Sequence, residues 1–224
     1  MIFKQVFDKK SSTFTYLIAS SEGREALIID PVIENVDNYI QLLNELDLKL
    51  VKVIDTHIHA DHVTGASKLK DKTKCITIMG DYTPADSVEI KVKDGELIKL
   101  DQLELRAIYT PGHTSDSFSF LMNNYLFSGD TLLINGTGRT DFQNGSAKDA
   151  YNSIFNRLLK LPEETLLYPA HDYNGKKVSS IGKEKKFNPR LQVRNEKEYI
   201  EIMNNLNLPE PKMMDINVAR NIKL

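Results

Sequence analysis

The sequence predicts an α/β fold, an αββα sandwich of two mixed sheets flanked by helices. Short strand-like runs dominate the first half of the 224 residues. Helical periodicities separate and then follow them, and many strands with interspersed helices favour two covered sheets. The 41% apolar content lets the chain bury a sizeable core.

The elements read in order. FTYLIAS (14–20) and ALIID (26–30) are strand-like, parted by the turn-forming SEGRE. Residues 34–47 carry Val36, Tyr39, Ile40, Leu43 and Leu46, a helical spacing that leaves one apolar stripe for a sheet face. LVKVIDT (50–56) is a largely apolar, buried strand, and CITIM (75–79) is another strand-like run. LELRAIYT (103–110), FSFLM (118–122) and YLFSGD (125–130) follow as strands. Ser146 with Asp149 forms a capping box ahead of Ala150, Ile154, Phe155, Leu158 and Leu159. TLLYPA (165–170) is a last strand. Residues 196–206 give a closing helix with Tyr199, Ile200, Met203 and Leu206 on one side. No domain boundary is visible, so residues 1–224 form one domain with a short C-terminal helix and tail from about 195.

Charge and composition exclude several classes. With 29 Lys and Arg against 31 Asp and Glu, the formal charge is −2, so nucleic acid is not an expected partner. No apolar run approaches the roughly 20 residues that span a bilayer, so no membrane association is expected. MIFKQVFDKKSSTF lacks the apolar core of a secretory signal. Cys75 is the single cysteine and has no internal disulfide partner, so a cytoplasmic setting and a small buried apolar role are expected for it. The Lys183–Lys186 run reads as a solvated loop able to attract an anionic substrate.

Function is carried by the histidines: His57, His59, His62, His113 and His171. Each closely follows a strand-like run, as Asp130 does, and strand ends feeding one sheet edge can bring distant side chains together. THIHADH (56–62) crowds three imidazoles and Asp61 into a few positions. Imidazole nitrogen and carboxylate oxygen bind divalent iron, zinc or manganese. In an extended segment, His57, His59 and Asp61 share one side while His62 points elsewhere, which permits a second adjacent site.

THIHADHVTG (56–65), TPGHT (110–114), FSGDTLL (127–133) and PAHDYNG (169–175) occur in that order. They resemble the metal-binding motifs of the metallo-β-lactamase superfamily. The resemblance implies the metallo-β-lactamase αββα sandwich, with metal at one sheet edge. GTGRTDFQ (136–143), FNPRL (187–191) and NNLNLPEPKMMD (204–215) are similar to the persulfide dioxygenase, or sulfur dioxygenase, branch. Thr137 stands where many relatives carry Cys, and Asp116 adds a charge near His113 that alters the pocket.

The branch implies oxidation of glutathione persulfide, or a similar low-molecular-weight persulfide, with O2 to give sulfite and glutathione. It implies one Fe(II) per chain held by His57, His113 and Asp130, as a 2-His-1-carboxylate face with open positions. His59, Asp61, His62 and His171 are then hydrogen-bond partners around that metal or ligands of a second one, and Asp172 joins them as a partner. Arg139 and Arg190 are candidates to bind a glutathione carboxylate bidentately, and Tyr173 to bond its peptide. For Arg139, a bond to Asp141 or Asp172 is the competing role. Family members are often dimers, so a homodimer is consistent. The alternative enzyme is a glyoxalase-II-like hydroxyacylglutathione hydrolase with two zinc ions. RTDFQ and the short stretch after His171 favour the dioxygenase. A non-enzymatic metal or ligand sensor on the same fold is the third reading, and the complete ligand set speaks against it.

Overall fold

The computed structural model describes residues 1–210 and 213–223. Pro211 and Lys212, which fall within NNLNLPEPKMMD, and Leu224 lie outside the described residues. The first sheet has six strands in sequential order: β1 (Ile2–Asp8), β2 (Thr13–Ala19), β3 (Glu25–Ile29), β4 (Lys49–Ile54), β5 (Ile76–Gly80) and β6 (Ile90–Val92). β1, β2 and β3 pair antiparallel, and β3 to β6 pair parallel. The crossovers carry α1 (Val36–Glu45) and α2 (Ala66–Thr73).

The second sheet is built from β7 (Leu97–Leu100), β8 (Leu103–Tyr109), β9 (Phe118–Met122), β10 (Tyr125–Gly129), β13 (Leu166–Pro169) and β14 (Ser179–Ser180). Its order is β14-β13-β10-β9-β8-β7. A small ribbon, β11 (Leu132–Leu133) with β12 (Gly136–Thr137), follows β10. Then come α3 (Ala147–Asn156), α4 (Ile181–Phe187), α5 (Glu196–Asn204) and α6 (Met214–Lys223).

Three apolar layers hold this together, and side-chain alternation along the strands sorts residues among them. Phe14, Tyr16 and Ile18 of β2 face inward and meet Phe118 and Phe120 of β9 and Leu105 of β8 between the sheets. Leu17 and Ala19 of the same strand face outward and pack with Val36, Tyr39 and Leu43 of α1 and Leu69 of α2. β2 is therefore buried on both faces. On the far side, Leu126 and Leu167 meet Ala150 and Ile154 of α3, Ile181 of α4, and Tyr199 and Met203 of α5. Helix, sheet, sheet, helix is the expected αββα sandwich. Among the described residues, no helix is long and apolar enough to cross a membrane.

Local expectations hold where the apolar period is strong. The stripe at Val36, Tyr39 and Leu43 is buried as expected, after a 3₁₀ turn at Ile33–Asn35. Cys75 is buried within the α1–α2 layer. The Lys183–Lys186 run is a correction: it lies on α4, not in a loop. Ser180 caps that helix by accepting the Lys183 N–H, and Ile181 and Glu184 anchor it inside. β1 and α6 were not visible in the sequence because neither carries a clean apolar period.

Ser146 shows how one cap serves two elements. Its hydroxyl accepts the Asp149 N–H, as the sequence implied. Its own N–H donates to Gly112 O at 2.9 Å, which ties α3 to the TPGHT loop. Ser146→Ala is expected to lower stability by about 1 kcal/mol, read as a lower urea midpoint with an unchanged slope.

Candidate metal centre

β8, β10 and β13 run in one direction through the second sheet, so their carboxyl ends reach the same edge. His113 follows β8, Asp130 follows β10 and His171 follows β13, while His57, His59, Asp61 and His62 follow β4 of the other sheet. Two glycines allow the close approach. Gly129 has φ +53, and a Cβ there would meet Thr56 Oγ1 at 2.7 Å. Gly112 has φ +141, and a Cβ would meet Ala150 Cα at 2.4 Å. A side chain at either position would push β10 from the His57 loop, or α3 from the His113 loop.

The predicted residues come together. One donor atom each from His57, His113 and Asp130 lies within 4.8 Å of the others, and the same holds for His59, Asp61 and His62. This corrects the alternation argument. The segment after β4 bends instead of staying extended, so His57 parts from His59 and Asp61 and joins His113. The His57 and His59 rings still sit 4.3 Å apart, which makes the two groups neighbours.

Hydrogen bonds set each tautomer. Thr56 Oγ1 donates to Asp30 Oδ2 at 3.1 Å and therefore accepts from His57 Nδ1 at 2.9 Å, leaving His57 Nε2 as a lone pair. His113 Nδ1 donates to Arg139 O at 2.8 Å, which frees its Nε2 in the same way. Those two Nε2 atoms stand 4.0 and 3.6 Å from Asp130 Oδ2. Asp130 Oδ1 is engaged elsewhere, by His171 Nδ1 at 2.6 Å. His171 Nε2 then reaches Asp61 Oδ2 at 2.9 Å, and His62 Nδ1 reaches the same oxygen at 2.9 Å.

Among the described residues, two buried side-chain nitrogens have no hydrogen-bond partner: His59 Nδ1 and His62 Nε2. A buried polar atom without a partner costs about 1–3 kcal/mol; the neutral His62 offers a lone pair at Nε2, and His59 offers one at Nδ1 once its proton leaves. A divalent cation fits this donor set, since each group converges two imidazole nitrogens and one carboxylate oxygen.

Charge follows from the same contacts. Burial would raise the Asp130 carboxyl, but His171, His113 and His57 hold it far below the usual carboxylate range. Burial would raise Asp61 likewise, and His171 and His62 lower it. Burial depresses His57, helped by the charges of His59 and His113, so it stays neutral and ready to bind. Burial also depresses His59, yet Asp30 and Asp55 outweigh it and raise His59 to about 9. His171 is raised for the same reason by Asp130 and Asp61.

Sequence reasoning missed Asp30, Asp55 and Thr13. Asp30 accepts from Thr56 N, Thr56 Oγ1 and His59 Nε2. Thr13 Oγ1 lies within 3.0 Å of His171 Nε2 and 3.2 Å of Asp61 Oδ2. The available signal was position: Asp30 ends ALIID and Asp55 follows LVKVI, an acid at the mouth of an apolar strand.

Other expectations need correction. Arg139 has no free fork, because Nε and Nη2 pair with Asp141 at 2.7 Å each and Nη1 donates to Pro209 O. Asp172 makes no hydrogen bond to the clustered histidines or acids among the described residues; its Oδ2 accepts the N–H groups of Asn174 and Lys176 and shapes its own loop. Asp116 does not face the cavity, because its Oδ2 accepts the Ile58 N–H at 2.9 Å. Arg139, Asp172, Tyr173 and Arg190 all line the open cavity of about 560 Å³ that exposes His113, Asp130 and His171.

The chain compares closely with known proteins. The family model of the Metallo-beta-lactamase superfamily matches residues 9–85 and 79–171. The human mitochondrial persulfide dioxygenase ETHE1 is 41% identical over 226 residues, spanning 100% of this chain and 88% of the relative. The crystal structure of ETHE1 from Myxococcus xanthus superposes with a TM-score of 0.96 at 47% identity, over 99% of this chain and 98% of that one. A hydroxyacylglutathione hydrolase from Dictyostelium discoideum is 31% identical over 175 residues, or 74% of this chain and 64% of the relative.

Two outcomes are expected. His113→Ala removes a donor from the three-residue face and should abolish metal binding there, read as the loss of that metal from the content per chain after purification. In chelator-treated protein, the stabilisation from raised His59 is fully present below its ordinary value of 6.5 and lost as pH climbs through about 9. His171 acts with the same sign, and the depressed His57 and His62 stay neutral across that window. The thermal midpoint should therefore fall between pH 6.5 and pH 9.

Proposed function

We propose that this chain, which belongs to the metallo-beta-lactamase superfamily, is a persulfide dioxygenase that oxidises glutathione persulfide with O2 to sulfite and glutathione at one Fe(II). The observation that carries the iron site is the face formed by His57 Nε2, His113 Nε2 and Asp130 Oδ2. Among the described residues, neither Nε2 makes a hydrogen bond. Two imidazoles and one carboxylate are the donor set of non-haem ferrous oxygenases. The full-length likeness to persulfide dioxygenases supports the substrate class.

Bound on that face, ferrous iron supplies the electrons and vacant positions that O2 chemistry requires. The protein's residues supply the rest. Thr56 and the Arg139 carbonyl orient the two histidines, so little reorganisation is needed when they bind. His171 keeps Asp130 Oδ1 occupied, which turns the other oxygen toward the face. Leu133, Ile134, Leu208 and Pro209 give the cavity an apolar wall that limits water beside the reacting sulfur.

The cavity of about 560 Å³ suits a tripeptide thiol. Arg190 is the residue assigned to its carboxylate. Nη1 donates to Thr137 O, and no acidic side chain pairs with this guanidinium among the described residues. Tyr173 is the residue this reading gives to the peptide, and its exposure and its position parallel to the His171 ring at 6.1 Å support that role. Arg139 instead fixes residues 208–209 at the rim.

One observation favours a second reading. The unpartnered His59 Nδ1 and His62 Nε2 could receive a second cation, as in a two-zinc glutathione thioester hydrolase. Purified protein should carry one iron per chain and consume O2 with glutathione persulfide. Two zinc ions per chain, no O2 uptake and rapid S-lactoylglutathione hydrolysis would establish the hydrolase instead. Arg190→Ala should raise KM for glutathione persulfide with kcat kept, lowering kcat/KM about 10- to 100-fold, the range expected for one charge-assisted hydrogen bond.

A further inference from the structure

Helix α6 buries two residues, and both are asparagines: Asn217 and Asn221. A buried carboxamide is costly unless its donors and acceptor are matched. Both find partners on the segment that carries the clustered histidines. Asn221 Nδ2 donates to His59 O at 2.8 Å and His62 O at 2.9 Å, while its Oδ1 accepts the Thr64 N–H at 3.0 Å. The reversed amide would press its oxygen against two carbonyls, so the contacts fix its orientation. One turn earlier, Asn217 Nδ2 donates to Ala60 O at 2.9 Å. A spacing of four residues puts both on one face of the helix, and Val218 and Ile222 pack beside them against Ile58, Met79 and Ala85.

Backbone pairing holds both ends of the segment between β4 and α2, at residues 55–56 and 63–65, but residues 57–62 make no backbone–backbone hydrogen bond among the described residues. Carboxamides from distant parts of the chain take that role. Gln143 Nε2 donates to Ile58 O at 2.7 Å, so the carbonyls of residues 58, 59, 60 and 62 are each held by a side-chain amide.

We propose that α6 is a latch on the metal centre: Asn221, assisted by Asn217, is a positioning residue that fixes the backbone from which His59, Asp61 and His62 project. The latch rests on reading this cluster as a metal centre. It acts by preorganisation. With the peptide groups already held, binding a cation does not also have to order the loop.

The test uses the full chain as wild type, Asn221→Ala, Asn221→Asp and Asn217→Ala, each stripped of metal. Anaerobic Fe(II) is titrated against a chromophoric chelator. Amide exchange of residues 58–64 and thermal unfolding are followed without metal. Asn221→Asp retains the shape and the acceptor for Thr64 but loses both donors. Both Asn221 variants should bind Fe(II) about 10- to 100-fold more weakly, the range for losing groups that support a metal's ligands. This follows because the loosened segment begins at His57 of the iron face and carries the His59, Asp61 and His62 network beside it. Asn217→Ala should show a smaller loss, and exchange across 58–64 should quicken in all three. Folded Asn221 variants with wild-type affinity and exchange would overturn the latch alone, as would weakened binding with unchanged exchange. If the Asn221 variants do not fold, Asn217→Ala with wild-type affinity and exchange overturns it. A wild type that binds no Fe(II) overturns the metal-centre reading and the latch with it.

Discussion

The Asp130 carboxylate has two oxygens, and the site depends on their division of labour. Oδ1 is held by His171 at 2.6 Å, and Oδ2 is left facing His57 and His113. That division makes one side of the cluster a self-neutralised network and the other an open donor face. Asp61 completes the closed side by meeting both His171 and His62. Four imidazoles and two acids could otherwise collapse into one tangle of ion pairs with nothing left to grip a cation.

Holding Asp130 in that pose takes an entire sheet edge. It requires β10 and β13 to be parallel neighbours, since His171 leaves the end of one and Asp130 the end of the other. It also requires the first sheet to bring Thr56 against Gly129, where no side chain would fit. The aromatic layer between the sheets provides the separation at which this happens: Tyr16 of the first sheet meets Phe127 and Tyr168 of the second, and its hydroxyl donates to Pro169 O at 2.6 Å, two residues before His171. Core packing and site geometry are thus one structure.

Around this centre, the protein spends neutral amides and hydroxyls to steer charged groups. Thr56, Thr13 and the Arg139 carbonyl orient imidazoles, and Asn217, Asn221 and Gln143 hold the peptide groups between them. Such groups add no net charge beside a cation, so they tune position without competing for the metal. Arginine is treated differently at its two positions. Arg139 is spent on Asp141 and the 208–209 segment, whereas Arg190 lines the cavity with no acidic partner among the described residues.

The layered fold and the ligand inventory were legible in the sequence, because both are written in short patterns. Alternating apolar residues specify the strands, the Val36–Tyr39–Leu43 stripe specifies a helix, and His57, His59, Asp61 and His62 lie within one short segment. Only tertiary structure decided how those ligands divide. The bend after β4 sends His57 to join His113 and Asp130, residues from remote strands, and no local period encodes a bend of that kind. Thr13 and Asn221 were invisible for the same reason: each acts on a histidine or its backbone across the fold, through hydrogen bonds that sequence spacing does not record. The pairing of Arg139 with Asp141 was already adjacent in the chain, yet only the folded loop showed that this arginine is spent and Arg190 is not.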